Sequence, residues 1–270
     1  GMEYPGIVFC YHGAKKGNLW GVTSHEFGHN WFPMVVGSDE RKFPWMDEGF
    51  NSFINSLANK AFNKGEYDNG PQDLHDAATG LFPDDADPIM TIPDVMQGRH
   101  IGLEAYYKPA IGLYLLRSTI LGPERFDYAF RTYVHRWAFK HPTPYDFFKT
   151  LEDAAGEDLG WFWKEWFYQT WTFDVGVNSV TYTDENPARG AQIGLELHQK
   201  MALPVEVEIT YADQTKERRQ LPVEVWQRGA QWTLHLNSTK PIIKVVTDPD
   251  HVLPDINAGN DGWTSEKPKP

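Results

Sequence analysis

Apolar residues recur in two rhythms along this chain, and the change of rhythm divides it. Over the first two-thirds the spacing is helical. Phe50, Phe53, Ile54, Leu57, Ala58, Ala61 and Phe62 follow the i, i+3, i+4, i+7 pattern of one helix face, with Gly65 as the expected stop. Phe126, Ala129, Phe130, Tyr133, Val134, Trp137 and Ala138 form a second such stripe. Helix is also predicted from about Glu104 to Leu121, where Gly122-Pro123 breaks it, and from about Asp158 to Gln169. Thr143-Pro144 reads as an N-cap and first helical residue, with Asp146 favourable in the first turn. Upstream, residues from about Leu19 to Phe32 predict a helix that Pro33 ends or kinks, because proline has no N–H for the His29 carbonyl. Residues 66–100 are dense in Gly, Pro and Asp and read as a long irregular excursion, with a functional loop and a plain surface loop equally open.

Past Thr172–Val177 the period falls to two. Ile193, Leu195 and Leu197 alternate with polar residues, as do Val205, Val207 and Ile209, then Val223 and Val225, then Trp232, Leu234 and Leu236. Ile242 and Ile243 with Val245 and Val246 follow. Short strands at this spacing predict a small antiparallel β-sandwich. The expected fold class is α+β: a mostly helical domain over residues 1–174, the sandwich over 175–256 and a disordered tail over 257–270.

The chain has 270 residues, enough for one large or two modest domains. Its eleven Trp should line cores or a cleft. A net charge of -12 argues against non-specific nucleic-acid binding and suits a cationic ligand such as a peptide α-amine. The single Cys10 cannot form an internal disulfide, which leaves the compartment open. No apolar run approaches membrane-spanning length, and Gly1-Met2-Glu3-Tyr4-Pro5-Gly6 carries no charged leader.

The chemistry concentrates in the predicted 19–32 helix. It carries His25-Glu26-Phe27-Gly28-His29, and Glu48 follows within Trp45-Met46-Asp47-Glu48-Gly49-Phe50. Residues i and i+4 of a helix point the same way, so both imidazoles can face one ion. A carboxylate from the next helix can supply a third ligand. Two His and one Glu make a catalytic zinc set with the fourth position open for water. Glu26 sits where a general base would reach that water. A chain with ten His shows H-E-x-x-H by chance only about 0.02 times. The alternative is a helix whose exposed polar face happens to carry two His. Asp47 reads as an N-cap or salt-bridge residue. His12, His75, His100, His135, His141, His198, His235 and His251 lack ligand spacing and read as surface or ordinary hydrogen-bonding residues. The Trp161-Phe162-Trp163 and Trp166-Phe167 cluster reads as helix core.

The zinc motif, with Trp-x-Asp-Glu-Gly-Phe around Glu48, resembles the membrane alanyl aminopeptidase family of zinc peptidases. Gly1-Met2-Glu3-Tyr4 is similar to the end of that family's Gly-x-Met-Glu-Asn motif, and Tyr106-Tyr107-Lys108-Pro109-Ala110 to its Tyr-Glu-Lys-Gly-Ala segment. Order and rough spacing agree, and the resemblance covers about residues 1–172. It implies a thermolysin-like catalytic domain, one zinc per chain on His25, His29 and Glu48, and Glu26 as general base. It further implies Tyr106 as oxyanion donor, with Tyr107 the rival assignment, and Glu3 as the residue that holds the α-amine of a peptide with a free N-terminus. Pro33, Tyr4 and Pro109 depart from the family pattern. Asn55 stands where many relatives have a carboxylate. It could accept from a ligand histidine, as could a backbone carbonyl. Relatives carry a β domain before the methionine–glutamate motif, so the resemblance also implies a longer parent protein with that N-terminal β domain. Two rivals stay open: an endopeptidase or epoxide hydrolase on the same site, and a non-catalytic zinc- or peptide-binding module. The intact Glu26 argues against the module, since a scaffold needs ligands but no base.

Overall fold

The structure, a computed structural model, describes residues 1–68 and 73–265. The chain forms two compact units. One is Gly1–Pro71 with Pro83–Thr170, the other Gln72–Phe82 with Trp171–Pro270.

The first unit opens with a hairpin, β1 (Met2–Tyr4) paired antiparallel with β2 (Ile7–Phe9). Helix α1 (Gly17–Gly28) follows. Its one buried residue is Glu26, while Leu19 and Phe27 are exposed. The helix thus turns a polar face inward, the reverse of an ordinary surface helix. It stops at Gly28, earlier than Phe32. Pro33 has no N–H to give, and the Met34 amide bonds the His29 carbonyl instead, at 3.2 Å. Helix α2 (Glu48–Ala61) buries Phe50 and Phe53 and ends four residues before Gly65, where Phe62 turns extended.

The helix expected between Glu104 and Leu121 is really three pieces. A π-helical turn, Gly102–Tyr107, leads into α4 (Lys108–Leu115), and a second π turn, Leu116–Ile120, closes it. Helix α5 (Pro123–Trp137) buries Phe126, Ala129, Phe130 and Tyr133. Helix α6 (Pro144–Ala155) has the N-cap read from the sequence at Thr143, and adds a reciprocal capping box with Asp146. Thr143 accepts from the Asp146 amide, and the Asp146 carboxylate accepts from the Thr143 amide. Rings from these helices form an aromatic core. Phe50 and Phe147 lie 4.7 Å apart, Trp45 and Phe167 4.8 Å, and Phe148 and Trp163 4.5 Å. Phe162, Trp163, Trp166 and Phe167 are buried in it, as a core reading requires, while Trp161 of the same cluster is only half-buried.

The second unit holds two antiparallel sheets. The first has the order β3 (Val175–Tyr182), β4 (Ala191–Leu197), β7 (Gln231–Leu236); the second β6 (Lys216–Leu221), β5 (Val205–Tyr211), β8 (Ile242–Thr247), β9 (Gly262–Thr264). Ile193, Leu195, Val205, Val207, Ile209 and Val245 form its apolar interior.

Four expectations need correction here. Val223 and Val225 lie in a short 3-10 turn, and the strand is the polar segment before it, Lys216–Leu221. It escapes an apolar-alternation reading because it is an edge strand, held by β5 on one side. The irregular 66–100 stretch contains α3 (Leu74–Leu81), capped by the Asp73 side chain on the His75 and Asp76 amides. That helix belongs to the second unit, so the expected boundary at 174/175 omits a segment. The tail expected to be disordered from 257 contains β9, which pairs with β8. Glu266–Pro270 lie outside the described residues. Among the described residues no helix is long and apolar enough to cross a membrane.

Candidate active site

His25 and Glu26 sit on the last turn of α1. His29 is its C-cap, still in helical conformation, with its amide 3.4 Å from the His25 carbonyl. The i, i+4 relation therefore survives the early stop. Their Nε2 atoms are 3.2 Å apart and the rings stand at 88°. Glu48, in the first turn of α2, brings Oε2 to 3.0 Å from His25 Nε2 and 3.5 Å from His29 Nε2. Ligand atoms about 2.0–2.1 Å from a tetrahedral ion lie about 3.3–3.4 Å apart. The three donor atoms already form one face of such a tetrahedron.

The opposite ring nitrogens are pinned. His29 Nδ1 lies 2.8 Å from the Phe32 carbonyl oxygen and 2.8 Å from Asp47 Oδ1. A carbonyl only accepts, so Nδ1 carries the hydrogen and a neutral ring leaves its Nε2 lone pair to the centre. His25 Nδ1 donates to Asn55 Oδ1 at 2.8 Å. Both acceptors that the sequence left open are thus in place. Asp47, read as a cap or salt-bridge residue, makes no cap bond and pairs with His29.

Asn51 was not singled out from the sequence. It donates from Nδ2 to the His25 carbonyl at 2.7 Å and lies over Gly28, where a Cβ would come 1.8 Å from Asn51 Oδ1. The signal was there: Glu48, Asn51 and Asn55 are a polar i, i+3, i+7 stripe on a helix whose other face is apolar.

The other sequence-derived residues surround the same point. Tyr106, on the Gly102–Tyr107 π turn, donates to Glu48 Oε1 at 2.6 Å. Tyr107 is 66% exposed and outside this network. Glu3, Glu26 and His29 form a second close group, their donor atoms within 4.8 Å of one another. Glu3 reaches it from β1, with Oε2 3.8 Å from His29 Nε2. Glu26 is buried, and its Oε2 has no hydrogen-bond partner among the described residues. A carboxylate oxygen left open beside three convergent donors suits a site that takes an ion and a polar ligand.

Carboxylates dominate the electrostatics. Burial lowers the His29 pKa, but Asp47 and Glu48 outweigh it and raise it to about 9. His25 is raised in the same way, burial being overcome by Glu48 and Asn55. Burial pushes Asp47 up to about 6, against the pull of His29. Burial also raises Glu48, yet bonds from His25 and Tyr106 leave it lowered. Burial and then Glu48 push the Tyr106 phenol well above its usual range, so it stays a donor. Glu40, near Glu3, is raised by burial and by Glu3. Such a pocket draws cations, and a metal would displace protons from the histidines.

A second His-containing group, Asp73, His75 and His251, lies in the other unit. Its rings stack at 4.2 Å with planes 10° apart. Ring lone pairs lie in the ring plane, so these two do not converge as His25 and His29 do.

A profile of the Peptidase family M1 domain matches residues 11–166, more than half of the chain. The chain belongs to peptidase family M1. Among M1 proteins, it is 30% identical over 162 residues to Aminopeptidase M1-B of Oryza sativa subsp. japonica, covering 57% of this chain and 18% of the rice protein. It is 30% identical over 164 residues to glutamyl aminopeptidase of Homo sapiens, covering 57% of this chain and 16% of the human one. The chain thus spans under a fifth of these relatives. Its fold is similar to that of Legionella pneumophila aminopeptidase A, crystallised in complex with aspartic acid, with a TM-score of 0.61, 15% identity and coverage of 88% of this chain and 26% of that one.

Proposed function

We propose that the first unit is a zinc aminopeptidase site on a thermolysin-like fold, with one zinc ion per chain held by His25, His29 and Glu48. The observation that carries this reading is the triangle of donor atoms at 3.0, 3.2 and 3.5 Å, with both histidines fixed through Nδ1. M1 membership and relatives named as aminopeptidases support peptides as substrates.

Zinc, when bound, lowers the pKa of a water toward about 7 and polarises a carbonyl. The chain's own groups do the rest. Glu26 takes the proton of the attacking water on its open oxygen and returns it to the leaving amine. The Tyr106 hydroxyl turns from Glu48 to the developing oxyanion, which gains more from a hydrogen bond than the ground-state carbonyl does. Glu3 binds the free α-amine and so counts one residue from the N-terminus. Asp47 and Asn55 hold the imidazoles in the tautomer that offers Nε2.

The test combines metal content with substrate blocking. Purified protein should hold one zinc per chain by elemental analysis. Glu26→Gln should keep the zinc and lose most turnover, while His29→Ala should lose the zinc. Unblocked peptides should be cleaved and N-acetylated ones spared. Equal cleavage of both would replace the aminopeptidase by an endopeptidase, and zinc near zero after repletion would sink the metal site.

A further inference from the structure

One turn of the first unit carries a pair of charges that packing alone does not call for. Glu104 and Lys108, four residues apart, are both fully buried, with Glu104 Oε2 3.7 Å from Lys108 Nζ. Neither Glu104 carboxylate oxygen has a hydrogen-bond partner among the described residues. Burial pushes the Glu104 carboxyl up to about 7 against the pull of Lys108 and His100, and pushes the Lys108 ammonium down. A buried ion pair often adds no stability over apolar residues of similar volume, and its best-attested use is to select one arrangement over another.

The two residues flank Tyr106: Glu104 lies inside the π-helical turn and Lys108 is its C-cap. The Lys108 amide reaches back five residues to the Leu103 carbonyl. Relaxing such a turn to an α turn removes one residue from it and rotates the side chains within by about 100°. Tyr106 would then leave Glu48. The far side of the turn is held independently. Trp166 Nε1 donates to the Lys108 carbonyl at 2.9 Å, and Pro109 and the Ala105 carbonyl press on Gly49, next to Glu48. Contacts on one side of the turn and the charge pair on either side of Tyr106 therefore act on the same segment.

Resting on the reading of Tyr106 as oxyanion donor, we propose that Glu104 and Lys108 are positioning residues whose buried ion pair holds the π turn and keeps the Tyr106 hydroxyl at the metal ligand Glu48. Neither touches substrate.

The test uses the zinc-loaded full chain and the double variant Glu104→Leu/Lys108→Met, which keeps volume and removes both charges. Tyr106 is followed by NMR of [ζ-13C]tyrosine, its resonance assigned by loss in Tyr106→Phe. The expected result is an unchanged melting temperature, zinc content and KM, a displaced Tyr106 resonance and a fall in kcat of about 10- to 100-fold, since an error of about 1 Å in placement costs up to about 10². A parental Tyr106 resonance together with parental kcat would overturn the proposal and leave the pair a filler. Should the double variant fail to fold, Glu104→Gln, which keeps the shape, removes the charge and turns one acceptor oxygen into a donor NH2, is judged by the same two outcomes. Parental turnover in Tyr106→Phe would remove the oxyanion reading alone, and the resonance would still decide the positioning.

Discussion

The two oxygens of Glu48 are divided between tasks: Oε2 faces the histidines and Oε1 accepts from Tyr106. The proposed mechanism asks Tyr106 to turn from Glu48 to the developing oxyanion. Removing an oxyanion donor costs about 10²–10³ in kcat. Tyr106→Phe should show a loss of that size with zinc content unchanged. Tyr107→Phe should keep parental kcat, because its ring is 66% exposed and outside the network. Comparing kcat for the two variants decides between adjacent tyrosines that sequence alone could not separate. Asp47 teaches the same lesson. A carboxylate just before a helix suits a cap as well as an ion pair, and the choice fell to His29, whose Nδ1 comes within 2.8 Å.

Two glycines set the distances between the elements that carry the site. At Gly28, α1 approaches α2 so closely that a Cβ would meet Asn51 Oδ1 at 1.8 Å; at Gly49, one would meet Pro109 Cγ at 2.7 Å. Asn51 cannot simply swing aside, because it also bonds the His25 carbonyl. Gly28→Ala should therefore destabilise the first unit by about 1–3 kcal/mol, the usual cost of overpacking. Chemical denaturation followed by tryptophan fluorescence would measure it, and zinc affinity should drop in parallel as His25 is displaced from Glu48. An unchanged midpoint would show that α1 and α2 can separate freely. The helical stripes of α2 and α5 and the N-cap at Thr143 were legible because they depend on neighbours within four residues. The π turns were not legible, since they conserve the same residues and change only their angular spacing.

At the scale of the whole chain, the second unit reclaims α3 from the middle of the first unit's sequence. The Leu74 amide bonds the His251 carbonyl, His251 Nδ1 lies 2.6 Å from Asp73 Oδ2, and His75 Nε2 lies 2.9 Å from Asp248 Oδ2. A chain cut after Thr170 would leave α3, with Leu74, Ala78 and Leu81 buried on one face, without the sheets it belongs to. Limited proteolysis should cleave that fragment within residues 73–82 and spare the full chain there. The same junction should respond to pH. His75 Nδ1 is also 3.4 Å from Asp261 Oδ2, and a neutral ring has one N–H for two carboxylates. Burial lowers the His75 pKa, but Asp248 and Asp261 leave it raised above 6.5. Burial and then Asp255 raise Asp261 from 3.8 to about 7. Folded protein therefore holds protons that the unfolded chain releases above these ordinary values. Both contributions are complete on the acid side and drain away as pH rises, Asp261 first and His75 after it. Carboxylates lowered by partners, such as Asp73 and Asp213, act in the opposite sense but only below the ordinary carboxylate range. The melting temperature of the second unit should fall as pH rises from 3.8 through about 7, the range set by Asp261, and Asp261→Asn should flatten the slope. An equally steep fall in that variant would place the proton elsewhere.

What the sequence determined by itself was whatever short-range spacing encodes: the periods of helices and strands, the cap at Thr143, and the convergence of His25 and His29, which follows from one turn of helix. Its likeness to known motifs pointed to the same residues, His25, His29, Glu48, Glu26, Tyr106 and Glu3, that the fold brings together. Tertiary structure decided which acceptors pin the ring nitrogens, how near two glycines allow neighbouring helices to come, and which unit owns α3 and β9. Those outcomes depend on groups far apart in the chain, as Asn55 is from His25 and Asp248 from His75. No local period records such pairings, because the free energy that selects them comes from burial and hydrogen bonding across the assembled fold.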